Sequence, residues 1–250
     1  MFQSAGSKLA HMDNLPDAHE AQIIRSWNTN AKPWAKAVQT GSIRSRKLVT
    51  DRAIIDTVLS ASPRRVLDLG CGEGWLARAL SRSGMEVTGV DVVPDLIAEA
   101  ARLGGGEFHL QAYDAIANRQ WRAGPFDAAV CNFSLLGKES VELLIGAMED
   151  YLNAAGYLII QTLHPVAACG DNRYEDGWRP GNWLGFGSEF RDPAPWYFRT
   201  LESWISLLRA NRFEVTECRE PTVPGGVLPA SVILVGRRRS AEQTNRVHPQ

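Results

Sequence analysis

The chain has 250 residues, of which 44% are hydrophobic and 22% are charged, a composition typical of a folded globular protein. The formal net charge of −1 indicates no broad basic surface, so nucleic acid is not the expected partner, and no apolar run reaches the roughly 20 residues that span a membrane. The four cysteines lie far apart without disulfide or metal-ligand spacing, which favours a reducing, cytoplasmic location and predicts no metal site.

The N-terminal stretch divides into two parts. Residues 1–11, MFQSAGSKLAH, resemble the remnant of an expression tag rather than a signal peptide, which predicts a native start at Met12. Residues 12–60 are predicted to be helical, because the apolar residues around Trp27 recur at helical spacing. Thr50 is the expected N-cap of the last helix in this part.

Residues 61–240 alternate short apolar strands with helical patterns, which predicts an α/β core built on a mostly parallel sheet. The predicted strands are 65–69, 86–93, 107–114, 126–133, 157–163, 213–220 and 230–238. The last two are expected to form an antiparallel hairpin at the sheet edge. A turn is predicted over Asn153–Gly156, and residues 241–250 are assigned to a C-terminal tail.

One long segment, residues 166–200, interrupts the alternation after the fifth strand. It is rich in Gly, Pro and Asp, yet it carries eight of the chain's 21 aromatic residues. Long irregular loops are usually either disordered or functional, and disordered segments avoid aromatic residues. We therefore expect an ordered lid or pocket wall here.

The first strand runs into a glycine-rich loop in VLDLGCGEGW, residues 66–75. A dinucleotide-binding loop has glycine at the position that Trp75 occupies, and a P-loop ends in Gly-Lys-Ser/Thr, which is missing. Glu73 lies where a diphosphate would bind, and its charge is expected to repel phosphate. The loop therefore favours a nucleoside ligand without phosphates.

Four segments in order resemble the motifs of the class I S-adenosylmethionine-dependent methyltransferases: VLDLGCGEG, VTGVDVV, QAYDAI and FDAAVCNFSLL. The resemblance covers about residues 60–165 closely. It implies a Rossmann-like seven-stranded, mostly parallel sheet with an antiparallel C-terminal hairpin, a helical N-terminal lid and an insertion after strand 5. The implied cofactor is S-adenosylmethionine.

The resemblance also implies which residues contact this donor of the methyl group. They are Asp68, Gly70, Cys71, Gly72, Asp91, Val92, Tyr113, Asp114, Ala115, Cys131, Asn132 and Phe133. Asp91 would accept hydrogen bonds from the ribose hydroxyls or cap the next helix, and Asp114 would bind adenine or serve as a turn residue. Cys71 and Cys131 are interpreted as small filling residues, since neither has a base nearby in the sequence.

Two covers are expected over the site. In the N-terminal one, Arg44 or Arg46 would pair with the methionine carboxylate. Trp34 would contact the donor and Trp27 the acceptor, or both would only pack between helices. In the insertion, half of the aromatic residues are expected to pack the loop and the rest to wall an acceptor pocket. The candidates for that wall are Trp178, Trp183, Phe186, Trp196 and Tyr197, with Arg179, Arg191 or Arg199 to hold an anionic group.

His164 follows the fifth strand, at the sheet edge where open α/β folds bind ligands. It is either the general base of a methyl transfer to a protonated nucleophile or an anchor for the lid hinge beside Pro165.

The predicted function is methyl transfer to a small, partly apolar or planar acceptor, on oxygen rather than nitrogen. The alternatives are donor binding without methyl transfer and a nicotinamide-dependent oxidoreductase. The acceptor and the oligomeric state are not predicted.

Overall fold

The computed structural model describes residues 16–239 and builds them around one seven-stranded sheet. The strands are β1 (Arg65–Leu69), β2 (Glu86–Asp91), β3 (Glu107–Leu110), β4 (Phe126–Asn132), β5 (Leu152–Leu163), β8 (Phe213–Arg219) and β9 (Ser231–Arg238), and a separate ribbon pairs β6 (Gly177–Arg179) with β7 (Trp196–Phe198). The sheet order is β3-β2-β1-β4-β5-β9-β8, with β1 to β5 parallel and β9 antiparallel to both of its neighbours. The predicted fold class is confirmed.

Helices cover both faces of the sheet. They are α1 (Pro16–Gln39), α2 (Asp51–Ala61), α3 (Trp75–Ser81), α4 (Pro94–Leu103), α5 (Tyr113–Ala117), α6 (Glu139–Tyr151), α7 (Pro165–Cys169) and α8 (Leu201–Ala210). Ile54 of α2 and Leu76 of α3 pack with Val130 on one face, while Leu144 of α6 and Leu208 of α8 pack on the other. Both faces are buried, which explains the near-continuous apolar runs of the central strands.

The strand order reverses between β1 and β4, because β2 and β3 continue on one side and β4 and β5 on the other. In open α/β sheets the crevice at such a switch point, beyond the carboxyl ends of the strands, is where ligands bind. The glycine-rich loop follows β1 at this edge, so the topology places it in that crevice.

Several local predictions were wrong. Thr50 does not cap α2, because a π-helical turn over Arg46–Thr50 runs directly into the helix and leaves Thr50 itself helical. Asn153–Gly156 is part of β5 rather than a turn, with Ala155 at φ 61° beside a register shift against β4. The third strand ends at Leu110, since residues 113–117 turn into α5.

The two predicted covers take different forms. Within residues 12–60, α2 packs against the sheet, so only α1 is left above the carboxyl edge. The insertion is ordered around α7 and the β6–β7 ribbon, as expected from its aromatic content. The predicted tag remnant, the start at Met12 and the tail 241–250 lie outside the described residues. Among residues 16–239, no helix has the length and apolar character needed to cross a membrane.

Candidate active site

Asp91 clasps the glycine loop to the end of β2. Its Oδ2 accepts a hydrogen bond from the Gly72 backbone at 2.9 Å, and its Oδ1 accepts one from Val93 at 2.9 Å, at the start of α4. The residue is 9% exposed. Each carboxylate oxygen retains a second lone pair, so Asp91 holds the loop and can still accept from two hydroxyl groups of a ligand.

The loop needs glycine because other groups approach its backbone closely. A Cβ on Gly70, at φ +72°, would lie 2.4 Å from Ser134 Cβ and 2.8 Å from the Tyr113 hydroxyl. At Gly72, at φ +57°, the Trp34 indole nitrogen is 3.8 Å from the position of a Cβ. Trp34 therefore brings α1 next to the loop.

Glu73 does not face a ligand, and the interpretation that its charge repels phosphate is wrong. The side chain is fully buried and forms an ion pair with Arg78 of α3, whose Nη1 also donates to the Glu73 carbonyl at 2.6 Å. Burial raises the pKa of Glu73, and Arg78 opposes this shift. The side chain anchors the loop to the helix that follows it.

Asp68, by contrast, is buried without compensation. It is 1% exposed, and its Oδ2 has no hydrogen-bond partner within residues 16–239. Burial, with a further contribution from the charge of Asp91, raises the pKa of Asp68 to about 7. Burial also raises the thiol pKa values of Cys71 and Cys131, so both remain protonated, in keeping with their interpretation as filling residues.

The segment after β3 joins the same edge of the sheet. Gln111 N–H donates to the Asp91 carbonyl at 2.9 Å, which sets α5 beside the end of β2. Tyr113 reaches across to donate to the Ser134 carbonyl at 3.3 Å, while Asp114 is exposed and Ala115 half-buried in the same short helix. The predicted adenine residues thus lie next to the predicted ribose residue.

The end of β4 is held in an unusual conformation. Phe133 has a φ of 53°, a region that bulky residues rarely adopt, and its N–H donates to the Gln161 carbonyl at 2.8 Å. Ser134 Oγ donates to the Leu69 carbonyl at 2.6 Å and ties β4 to β1. The kink ends β4 at Asn132, directly beside the glycine loop.

α1 and the insertion are locked together above this edge. The side chain of the fully buried Asn30 both donates to the Arg191 carbonyl at 2.8 Å and accepts from the Arg191 N–H at 2.9 Å. Aromatic rings of α1 and the insertion also pack on one another, with centroids 4.9–6.1 Å apart, and the cluster comprises Trp27, Trp34, Trp183, Phe186 and Phe190. Three of the predicted acceptor-site residues therefore belong to one interlocked cover.

A second connection fixes the start of α1. Glu20 caps α6 from outside that helix, accepting from Lys138 N at 2.8 Å and Ser140 Oγ at 2.8 Å. His19 packs against Trp178 at 4.5 Å between ring centroids, and Trp178 in turn contacts Tyr197. The sequence reasoning missed Asn30 and Glu20; a polar Asn30 on the apolar face of α1 was the available signal.

Trp196 packs on Phe198 within its own strand, as expected for the aromatic residues that pack the loop rather than wall the acceptor pocket.

Two of the three predicted anion-binding arginines use their side chains in hydrogen bonds within the protein. Arg199 is 3% exposed and donates to the Gly137 and Lys138 carbonyls, so its assignment to a ligand is wrong. Arg179 donates to the Arg173 and Glu175 carbonyls, while the Arg191 side chain is exposed.

Arg46, predicted to hold the methionine carboxylate, instead contacts two neighbours. It forms an ion pair with Asp51 at 2.9 Å and stacks on the Trp75 ring at 4.5 Å. Arg44 is exposed.

His164 has both ring nitrogens engaged. Nε2 lies 2.7 Å from Glu220 Oε1, and Nδ1 accepts from Val166 N at 3.3 Å as the N-cap of α7. The ring is 3% exposed. These contacts tie β5, α7 and the β8–β9 connection together, which is the anchoring role that the sequence left open; a role as general base stays a prediction.

The chain matches known methyltransferases in sequence. A family model described as a methyltransferase domain matches residues 44–217. The ubiquinone biosynthesis O-methyltransferases of Xylella fastidiosa strain M23 and Xanthomonas oryzae strain PXO99A are 36% and 34% identical over 116 residues. These matches cover 44% of this chain and 46–47% of the relatives, so the chain spans about half the length of the curated relatives it matches.

Two solved structures extend the similarity to most of the chain. The 1,6-didemethyltoxoflavin-N1-methyltransferase of Burkholderia thailandensis has a TM-score of 0.64 at 18% identity, covering 90% of this chain and 91% of its own. Magnesium protoporphyrin IX methyltransferase from Synechocystis has a TM-score of 0.62 at 17% identity, covering 88% and 99%. These likenesses show the fold, and the family model spans well over half of the chain. The chain therefore belongs to the methyltransferase domain family, among the class I S-adenosylmethionine-dependent methyltransferases.

Proposed function

We propose that this chain transfers a methyl group from S-adenosylmethionine to a small, partly apolar or planar acceptor, on oxygen rather than nitrogen. The observation that carries the acceptor class is the interlocked cover: α1 and the insertion meet through Asn30 and Arg191 and present aromatic rings above the carboxyl edge. A cover of packed aromatic rings above the donor edge suits a small, partly apolar acceptor better than a large polymer.

The residues at this edge fit the donor. Gly70 leaves its backbone open where a side chain would clash, and Asp91 keeps lone pairs for the ribose hydroxyls. Tyr113, Asp114 and Ala115 would hold the adenine beside it. The buried Oδ2 of Asp68, which lacks a partner in the described part of the chain, offers an acceptor to a cationic group.

When bound, the donor supplies a methyl group already activated by a positive sulfur. The protein therefore needs mainly to align the donor with the acceptor and to enclose both. Cys131 and Asn132 are the last residues of β4, and Phe133 follows them beside the loop. The strained backbone of Phe133 sets the direction in which the chain leaves the strand. Trp34 presses α1 onto the loop and removes water from it. A base contributes only where the acceptor arrives protonated.

The acceptor side is proposed from the aromatic residues and from the relatives. Trp27, Trp183 and Phe186 would bound it on one side, and Trp178 and Tyr197 on the other. The curated relatives are named O-methyltransferases of ubiquinone biosynthesis, while the Burkholderia protein is named an N1-methyltransferase of 1,6-didemethyltoxoflavin. The higher sequence identity of the O-methyltransferases supports oxygen.

The test is incubation with methyl-labelled donor and a panel of phenols, carboxylic acids and heterocyclic amines. We expect label on at least one phenol or carboxylic acid, with a preference over the amines. Tight donor binding without transfer to any member would favour a donor-binding protein that carries out another reaction. Transfer only to the amines would overturn the preference for oxygen.

A further inference from the structure

Three histidines lie within the described residues, and their ring nitrogens are used differently. His164 has contacts at both ring nitrogens, and His109 Nε2 lies 3.0 Å from Glu107 Oε1 on β3. His19 of α1 differs, because its Nδ1 is buried and finds no hydrogen-bond partner among residues 16–239. Buried polar atoms in folded proteins are almost always paired, so this open nitrogen indicates a ligand or an ordered water beside it.

Aromatic packing and a neighbouring hydrogen bond fix the His19 ring. The ring packs at a tilt on Trp178, with centroids 4.5 Å apart, and Trp178 packs edge-on against its register partner Tyr197. The next residue of α1, Glu20, accepts from the Lys138 backbone N–H at 2.8 Å, which holds this turn of the helix in place. The imidazole is therefore positioned by packing and by its backbone, which leaves Nδ1 for another partner.

The β6–β7 ribbon and this turn of α1 both stand on the loop that follows β4. The Tyr197 N–H donates to the Leu136 carbonyl at 2.8 Å, and the Glu20 carboxylate lies against Gly137. Leu136 and Gly137 belong to the short connection between β4 and α6, while the later turns of α1 reach the glycine loop. His19 thus shares the β4 end of the crevice with the proposed wall of the methyl acceptor.

Ser26 provides a second open polar atom on the same face of α1. Seven residues separate it from His19, which is about two helical turns, so both side chains lie on one face about 10 Å apart along the axis. Ser26 is 4% exposed, and its Oγ has no partner in the described part of the chain. Its carbonyl accepts from Asn30, whose amide also donates to the Arg191 carbonyl, so Ser26 lies where α1 meets the insertion.

These open atoms give the aromatic cover a polar content that suits one class of methyl acceptor. The wall of Trp178 and Tyr197 favours a planar ring, while His19 and Ser26 can each bind one oxygen of a ring compound. Histidine is also the side chain that most often removes a proton from a reacting hydroxyl. A phenol with a second oxygen substituent fits these contacts, whereas an amine that attacks through its lone pair needs no base.

We propose that His19 Nδ1 binds the phenolic hydroxyl of the methyl acceptor and takes its proton, while Ser26 Oγ binds a second oxygen of the same molecule. During transfer the phenol oxygen forms a bond to the methyl carbon as the bond from that carbon to sulfur breaks. The electron pair of the broken bond stays on sulfur, and the hydroxyl proton moves to Nδ1 and then to solvent. The products are an aryl methyl ether and S-adenosylhomocysteine. The inference rests on the proposed methyl transfer to oxygen.

The first experiment measures kcat and KM for the panel phenol that the parent protein methylates fastest. His19→Phe keeps a ring against Trp178 but has no nitrogen, so kcat should fall about a hundredfold. His19→Asn keeps a hydrogen-bonding atom near the position of Nδ1 but is no base, so kcat should fall similarly while KM changes less than about threefold. His109→Phe is the matched control and should retain the parent turnover, because His109 also packs on a tryptophan, Trp121, with ring centroids 5.6 Å apart.

Ser26→Ala tests the second contact. It removes one hydrogen bond to the methyl acceptor, so KM should rise about fivefold while kcat changes little. Thr29→Ala is its control, because the Thr29 hydroxyl, on the exposed face of α1, already donates to the Arg25 carbonyl at 3.0 Å. An unchanged KM in Ser26→Ala would overturn the assignment of this residue to the methyl acceptor.

Two further readouts separate a catalytic contact from a structural one. The affinity for S-adenosylhomocysteine, measured by calorimetry, should stay within about twofold of the parent value in each variant, because the inference places His19 on the methyl acceptor and not on the donor. Among the phenols that the parent protein methylates, those acidic enough to arrive ionised should lose less turnover in His19→Phe than weakly acidic ones, because they bring no proton to remove.

Three results would overturn the inference and assign Nδ1 to an ordered water. They are parent-like turnover of His19→Phe, an equal loss for acidic and weakly acidic phenols, and a loss of S-adenosylhomocysteine affinity that matches the loss of turnover. Methylation of carboxylic acids or amines but of no phenol would also overturn it, while leaving methyl transfer itself intact. Transfer to no member of the panel would overturn the proposed function as well.

Discussion

Asp68 and Asp91 project from neighbouring strands onto the same face of the sheet, yet their carboxylates have opposite surroundings. Asp91 accepts hydrogen bonds from Gly72 and Val93, whereas Asp68 Oδ2 accepts none within the described residues. Burial and the charge of Asp91 raise the pKa of Asp68 to about 7. Near neutral pH the unliganded protein therefore holds Asp68 partly protonated, beside a carboxylate that its own backbone stabilises.

Asp68→Asn is expected to stabilise the unliganded protein at alkaline pH. Because the pKa of Asp68 in the folded state lies above the ordinary aspartate value of 3.8, the folded state binds more protons between these two values, and stability falls as the pH rises from about 4 to about 7. The loss amounts to at most about 4 kcal/mol, and the asparagine does not incur it. Thermal unfolding at pH 4 and pH 8 should show a Tm gain only at pH 8. An Asp171→Asn control, at an exposed position, should show none, and a lower Tm for Asp68→Asn at pH 8 would contradict the burial argument.

Donor-product binding is expected to release protons at pH 7. The ammonium of S-adenosylhomocysteine beside Asp68 would lower the pKa of this carboxyl, so a fraction of a proton leaves when the ligand binds. Calorimetry in buffers of different ionisation enthalpy measures this release directly. The same titrations with Asp68→Asn should lose most of the buffer dependence. Equal enthalpies in all buffers for the parent protein would place the ammonium elsewhere.

Gly70→Ala should abolish donor binding because the added Cβ clashes with neighbouring side chains, and a control variant separates this clash from backbone strain. The added Cβ meets Ser134 and Tyr113, and φ is +72°. Gly84 has a similar φ of +88°, but its Cβ would meet no atom of the described chain within 4 Å. Gly84→Ala should therefore cost only the strain, about 1–2 kcal/mol, and keep its affinity for S-adenosylhomocysteine. Equal affinities for the two variants would refute the close approach at Gly70.

Asn30→Ala should uncouple the two covers. It removes both hydrogen bonds to the Arg191 backbone, worth about 1 kcal/mol each, that join α1 to the insertion. Hydrogen–deuterium exchange over residues 182–192 should rise, and turnover should fall through loss of alignment. Asn28→Ala, which removes only a bond to the Ile24 carbonyl, is the control. Unchanged exchange in Asn30→Ala would show that the aromatic cluster alone holds the cover.

Two variants at His164 separate an anchor from a base. Asparagine caps helices well, so His164→Asn should keep α7 in place and preserve most of the turnover, while His164→Ala should lose both cap and stability. Turnover on an accepted panel compound and Tm are measured together. If His164→Asn is as stable as the parent but inactive at all pH values, His164 acts as the base.

The sheet and its ligand edge could be predicted because each rests on local signals. Residues 65–69 were predicted to form a strand with the bounds observed, since their apolar pattern defines it. The glycine-rich loop was predicted to bind a nucleoside, and the structure adds that Ser134 and Tyr113 approach Gly70 closely. Residue types and spacing carry this information without tertiary contacts.

Side-chain direction was harder to predict, because it depends on partners distant in sequence. Glu73 was assigned to the ligand face, but Arg78 turns it inward. Arg199 was assigned to an anion, but the carbonyls after β4 use its donors. The link between Asn30 and Arg191 spans 161 positions, so periodicity in α1 could mark Asn30 as unusual without naming its partner.

The central claim, that the crevice after β1 binds the nucleoside of S-adenosylmethionine, is tested most directly by calorimetric titration with S-adenosylhomocysteine and, in parallel, with NADH. The account predicts saturable one-to-one binding of S-adenosylhomocysteine that is lost in Gly70→Ala, and no binding of NADH. Binding of NADH alone, or S-adenosylhomocysteine binding that Gly70→Ala leaves unchanged, would contradict it.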